Sequence, residues 1–332
     1  MTLAKLPGWA FVLALGGISL WVSGKVTLQG QAILEASALA VAIGVAARAC
    51  WRLPDRLVAG VRAGETPLAL GIMLLGAQLD FRSFAAQGAT LVTMALSAML
   101  VGFLFTWLFA RAMKLSHTLS TLLAVGTTIC GGTAVAITAP LVNASDEETS
   151  YAVGVITLWG VAAIFIYPVL GRIWGVSDMA FGVFAGMAIH STPQVVGAAF
   201  SFSDLAGRTA TAVKLVRNCF IAPMALAIAF VHGRRTNNGA NTKLRGALRA
   251  FPWFLFAFFA FSALRTWGAL GDHLASQLVV AGKFLIIAGM AAVGLNTDVS
   301  ALRRAGVKPL LVGLAGAVVV AGVSVALIRA FL

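Results

Sequence analysis

The sequence predicts an all-α fold: a polytopic membrane protein of about eleven transmembrane helices, with inverted repeats and broken helices. Three observations predict it. Hydrophobic residues fill 60% of 332 positions and charged ones only 11%, which leaves too little polar surface to cover a soluble domain. Apolar runs bounded by Gly, Pro and charges recur along the whole chain. One stretch also returns, much later in the chain, with the same spacing of Gly and Asp.

The apolar runs give spans near 8–23, 31–50, 64–79, 89–110, 118–140, 150–171, 179–200, 208–231, 250–267, 275–296 and 307–330, read as one membrane domain over 1–332. The first run lacks a small-residue cleavage site, so it reads as a span and not as a signal peptide. If the eleven spans alternate, most Lys and Arg fall on the side of the N-terminus. The other side collects only Lys25, Arg82, Arg208, Arg265 and Arg329. This places the N-terminus in the cytoplasm, the C-terminus outside, and the hydrophilic segment 232–249 in a cytoplasmic loop. The net charge of +13 is thus a topology signal, and no nucleic-acid partner is expected. Cys50, Cys130 and Cys219 lie far apart in apolar segments, so neither a disulfide framework nor a metal site is expected.

The returning stretch is "GETPLALGIMLLGAQLDFRSFAAQG" (64–88) against "GKFLIIAGMAAVGLNTDVSALRRAG" (282–306). Gly64, Gly71, Gly76, Asp80 and Gly88 match Gly282, Gly289, Gly294, Asp298 and Gly306 without a gap. One copy runs outward and the other inward under this topology, so the repeats are inverted, as in many secondary transporters. Asp80 and Asp298 read as helix ends.

Three stretches carry candidate chemistry. "GTTICGGT" (126–133) breaks a helix in mid-span. A break exposes N–H groups at the start of the second half, a partial positive charge suited to an anion. Thr127, Thr128 and Thr133 add hydroxyls, Cys130 a thiol, and Gly131 and Gly132 permit close backbone approach; close helix packing is the competing reading. "HSTPQ" (190–194) breaks a second span at Pro193 and offers His190, Ser191, Thr192 and Gln194. Lys214 and Arg217 share one face of a later helix, at a depth where cations need water, a counter-charge or an anionic ligand, unless they snorkel outward. Carboxylates near span interiors are few, Glu35 and Glu65, beside the loop group Asp146, Glu147 and Glu148. Lys283 reads as interfacial. No Walker sequence, HExxH, GxSxG or paired intramembrane Asp occurs, so no enzyme is expected.

These stretches resemble the YeiH-type sulfate-exporter family, also called conserved hypothetical protein family 698. "GTTICGGTAVAITAPLV", "VITLWGVAAIFIYP", "HSTPQV", "KLVRNCFIAP" and "AAVGLNTD" follow its pattern in order. The resemblance implies a fold similar to the bile acid–sodium symporters and sodium/proton antiporters, in the bacterial inner membrane. It places Cys130, Gly131, His190, Gln194, Lys214 and Arg217 at the family's functional positions. The family's Glu after His is Ser191 here, and its Ala is Pro193, so a proton coupled through that Glu would need another carrier, such as His190. The expectation is a secondary active transporter, an exporter, of a small anion: sulfate, sulfite or an organosulfonate. It needs no cofactor, with H+ or Na+ as candidate coupling ions and the lipid bilayer as its surroundings. Two alternatives stay open: a cation-coupled carrier of organic acids or neutral metabolites, and a non-transporting sensor or scaffold. Oligomeric state is left open, a homodimer included.

Overall fold

In the computed structural model, the described residues are 5–25, 27–28, 31–32, 36–51, 53–79, 88–233, 254–297 and 306–332. Asp80, Asp298, Glu35 and most of the expected loop 232–249 lie outside them. The chain begins with α1 (Leu6–Lys25), α2 (Ala36–Cys50), the short α3 (Asp55–Arg62) and α4 (Glu65–Leu75), which ends in a 3₁₀ turn over Gly76–Gln78. Next come α5 (Gly88–Ala112), α6 (His117–Thr128), α7 (Gly132–Thr138) and α8 (Asp146–Ile173). Then follow α9 (Asp178–Ala188), α10 (Thr192–Phe202), α11 (Asp204–Cys219) and α12 (Ile221–Gly233). The last three are α13 (Phe254–Thr266), α14 (Asp272–Asn296) and α15 (Val307–Phe331).

Among the described residues, seven helical runs are long and apolar enough to cross a membrane. Their faces sort as lipid requires. On α5, Leu100, Leu104 and Leu108 point outward while Ala95, Ala98, Gly102 and Thr106 are buried. Lipid gives no hydrophobic drive between helices, so close contact through small residues holds them.

The two repeat segments pack directly on each other. A Cβ on Gly71 would lie 2.7 Å from Gly282 O, and one on Gly64 would lie 2.1 Å from Ala292 Cβ. A Cβ on Gly289 would lie 2.6 Å from Leu68 Cβ. Rising numbers on α4 thus meet falling numbers on α14, so the segments run antiparallel. The helices that follow them do the same: Gly102 packs on Val320, and Gly316 on Thr106. The offset that matches Gly64 with Gly282 also matches Gly102 with Val320.

Two of the expected spans do not cross. Segments 118–140 and 179–200 break as expected, but each then folds back to the end it came from. At hairpin 1 (α6–α7) the chain leaves at Ser116 and returns at Ser145, and both meet Glu148 at the start of α8. Ser116 Oγ donates to Glu148 Oε1 at 2.5 Å, and Ser145 N donates to Glu148 Oε2 at 3.3 Å. A Cβ on Gly126 would lie 2.8 Å from Val135 Cγ2, so the two arms lie side by side. At hairpin 2 (α9–α10) both ends meet the other end of α8. Phe181 and Phe202 stack at 4.0 Å, a Cβ on Gly171 would touch both rings, and Arg172 Nη2 donates to Ser201 O at 2.6 Å. The physical reason is length: arms of 7 to 12 residues rise at most about 18 Å, little more than half a bilayer core. Among the described residues, the eleven apolar stretches are therefore two re-entrant hairpins and nine that do not turn back, the shorter α2 and α13 and the two-helix stretch α11–α12 included.

The helices form two bundles. One holds α1–α4, α13 and α14; the other holds α5–α12 and α15. They meet chiefly where α10 packs on α2 and α14. Met290 Cε fits against Gly197, and Ser37 Oγ donates to Gly197 O at 3.4 Å.

Candidate functional site

The tips of the two hairpins meet beside the middle of α8. A Cβ on Gly131 would lie 3.0 Å from Ser191 Cβ, and Cys130 Sγ lies 3.8 Å from Thr192 Oγ1. Gly131 has φ +59°, a conformation that side chains disfavour, and this turns the chain back in hairpin 1. In hairpin 2 the turn is extended at Ile189 and Ser191, and Pro193 then stands in the first turn of α10, where its missing N–H costs nothing. Gln194 ties this tip to α8: its Oε1 accepts from Ser191 N at 3.2 Å, and its Nε2 donates to Thr157 O at 3.3 Å.

Turning back brings the carbonyl ends of α6 and α9 to one point, deep in the bundle, where each would leave unpaired acceptors. Lys214 and Arg217 of α11 fill that point, at 0% and 1% exposure. Lys214 Nζ donates to Ile129 O at 2.7 Å, to Ile189 O at 3.0 Å and to His190 O. Arg217 Nη1 donates to Gly186 O at 2.8 Å, to Ile189 O at 3.2 Å and to Met187 O, while Nη2 donates to Thr128 O. Each cation thus links both hairpins, and helix C-termini carry the partial negative charge that suits it. The ion pairs among the described residues are Arg265–Asp272 and Lys283–Asp204, so no carboxylate balances Lys214 or Arg217 there.

On the other face of the tips lies a cavity of about 280 Å³ between the two bundles. The start of α10 opens into it through Ser191, Thr192, Pro193 and Gln194, and hairpin 1 contributes Cys130, Gly132 and Thr133. Thr157 of α8, Asn218 of α11 and Asn296 of α14 add polar groups, and Leu68, Ile72 and Val293 supply an apolar wall. None of these lining residues carries a charge.

The expected site residues therefore divide. Cys130, Gly132, Thr133, Ser191, Thr192 and Gln194 line the cavity, and Gly131 forms the turn behind them. Thr127, Thr128, His190, Lys214 and Arg217 do not line it. Thr128 Oγ1 donates to Ala124 O at 2.7 Å, and His190 is buried with Nδ1 unpartnered. Lys214 Nζ and the two Arg217 Nη groups face carbonyls, not the cavity, because the folded-back arms bring those carbonyls to them, while Arg217 Nε has no partner. Sequence reasoning missed Asn218, Asn296 and Thr157. Each stands in a quoted motif ("KLVRNC", "VGLNTD", "VITLWG"). Thr157 is an isolated polar residue in an apolar run, whereas Asn218 beside Arg217 and Asn296 before Thr297 and Asp298 sit among other polar residues that mask them.

The seat of Gln194 gives a direct test. A Cβ on Gly160 would lie 1.9 Å from Gln194 Oε1. Gly160→Ala should expel the amide and cost about 1–3 kcal/mol by overpacking. In purified protein its melting point should fall, and the double variant Gly160→Ala/Gln194→Ala should melt no lower than Gln194→Ala alone. A single variant that melts like the wild type would show that the clamp is slack.

Sequence comparison places the chain among membrane proteins. The chain is similar to UPF0324 membrane proteins of Bradyrhizobium diazoefficiens (28% identical over 330 residues, 99% of this chain and 94% of the relative) and Bacillus cereus (32% over 292 residues, 88% and 84%). A third, of Streptococcus agalactiae, is 31% identical over 323 residues, covering 94% and 93%. The sequence pattern described as conserved hypothetical protein 698 matches residues 7–313. With that match over nearly its whole length, this membrane protein belongs to the conserved hypothetical protein 698 family.

Proposed function

We propose that the protein is a secondary active transporter of a small anion, of the sulfate, sulfite or organosulfonate kind, and that the cavity at the hairpin tips is its site. The observation that carries this reading is the placing of Lys214 and Arg217. Two buried cations, with no carboxylate partner among the described residues, lie behind uncharged tips whose α10 end lines the cavity with Ser191 and Thr192. In a low-dielectric interior such charge favours an anion nearby, although neither cation touches it. Thr192 at the start of α10 and Thr133 of hairpin 1 would hold the anion's oxygens.

Alternating access has a natural division here. The cavity lies toward the end of α8 where hairpin 1 enters, beside Asn296 and Phe254. At the opposite end Lys283 Nζ binds Asp204 Oδ1 at 2.6 Å and lies 5.9 Å over the Phe200 ring, joining the two bundles. Movement of one bundle past the other would open that end and close the first. The antiparallel packing of α4 on α14 supports the inverted-repeat reading on which such exchange relies. The coupling ion, H+ or Na+, would be part of the same cycle, with export as the direction.

The test is a flux screen in proteoliposomes across sulfate, sulfite, sulfonates and carboxylates, with H+ and Na+ gradients imposed separately. Saturable flux of at least one anion, lost in Thr192→Val, is expected. Flux confined to neutral or cationic solutes would end the anion reading.

A further inference from the structure

We infer that the anion held in this cavity brings its own O–H or N–H donor, received by Asn218 Oδ1, and that acceptor-only anions such as sulfate are the poorer ligands. The inference rests on the anion-site reading above and narrows it. Asn218 stands one residue past Arg217 on α11, is 0% exposed and lines the cavity. Its Nδ2 donates to Thr192 Oγ1 at 3.1 Å, while Oδ1 has no partner. Thr192 is thereby tied to both Asn218 and Cys130, at the first residue of α10.

A buried amide oxygen without a donor is costly, and native proteins rarely leave one so. No described residue donates to it. An anion seated at the start of α10 therefore presents some of its atoms to an acceptor. A hydroxyl, an amine or a protonated oxygen there makes a hydrogen bond. A bare oxyanion oxygen meets repulsion and leaves Oδ1 unsatisfied. Sites built to hydrogen-bond a ligand's O–H or N–H reject analogues that lack it far more strongly than apolar pockets reject a missing methylene. The volume of about 280 Å³ is at the small end for ligand pockets, so the ligand is a small one. Two ligand sources share this chemistry: hydroxy- or amino-substituted sulfonates and carboxylates, and singly protonated oxyanions.

Matched pairs separate them. Purified full-length protein is titrated calorimetrically with 2-hydroxyethanesulfonate against ethanesulfonate, and with bicarbonate against nitrate. In the pair that corresponds to the true source, the donor-bearing member should bind roughly tenfold to hundredfold tighter. In Asn218→Leu that ratio should fall to about threefold or less, since the acceptor is gone. Equal affinities within both wild-type pairs would overturn the inference, as would a ratio that survives Asn218→Leu. Should that variant not fold, the wild-type ratios still decide. If none of the four anions, nor sulfate, binds the wild type, the anion-site reading fails and this inference with it. Tight acceptor-only binding would sink this inference alone.

Discussion

Lys214→Met should destabilise the protein in the complete absence of ligand, by about 3–5 kcal/mol, the usual cost of breaking a buried charged network. The substitution keeps the length of the chain and removes three donors at once, from Ile129 O, Ile189 O and His190 O. Those carbonyls sit at the closed ends of two helices, deep among apolar neighbours. Arg217→Lys should be intermediate. A lysine keeps the charge, but a single ammonium on a flexible stem cannot match a planar fork that reaches Thr128 O on one hairpin and Gly186 O and Met187 O on the other. Thermal unfolding in detergent, followed by size-exclusion monodispersity, reads both. Thr133→Ala is the contrast: it lines the cavity, so it should change anion binding and leave the stability within about 0.5 kcal/mol of wild type, as substitutions away from such networks do. If Lys214→Met melts like the wild type and loses only anion affinity, Lys214 is a ligand and not the cap of the two hairpins.

The second large effect is all-or-none. In a background with Cys50, Cys130 and Cys219 replaced, cysteines introduced at Lys114 and at Glu147 should be labelled from one and the same side of the membrane by an impermeant thiol reagent. Cysteines at Trp174 and Asp204 should both be labelled from the other side. The hairpins require this, since each returns to the end of α8 from which it left. Two straight, merely kinked spans would separate 114 from 147 and 174 from 204. Labelling of either pair from opposite sides would therefore refute the hairpins. Replacing two crossings by two hairpins preserves parity, so the proposal that the N-terminus and C-terminus lie on opposite sides of the membrane is unchanged. Among the basic residues only Arg172 changes side, and the Lys and Arg bias still places the N-terminus in the cytoplasm as a proposal.

Much of the site is legible in the sequence. Gly131 and Gly132 in one apolar stretch and Pro193 in another mark the breaks, because each removes something a helix interior needs. Lys214 and Arg217, spaced three apart in an apolar run, announce buried cations. Their partners are not legible. A cation in mid-membrane calls for compensating negative charge, and a sequence displays carboxylates but not the carbonyl ends of helices. Those ends gather only after both arms turn back, so an anion is the nearer inference although backbone carbonyls are the direct partners. Asn218 was hidden for the opposite reason: an amide beside an arginine in a helix reads as packing until its oxygen is seen without a partner.

Composition and run length are enough to establish a helical membrane protein, the places where its apolar runs begin and end, and the two points where they break. They suffice because transfer into lipid depends on summed side-chain polarity and on the obligation of every peptide group to pair within its own helix. The direction of the chain after each break is a matter of packing in three dimensions. A kinked span and a re-entrant hairpin have the same hydropathy, the same glycines and the same proline. What separates them is whether a neighbour receives the returning arm, and here α8 does so at both ends: Glu148 holds the base of one hairpin, and Gly171 with Arg172 holds the base of the other.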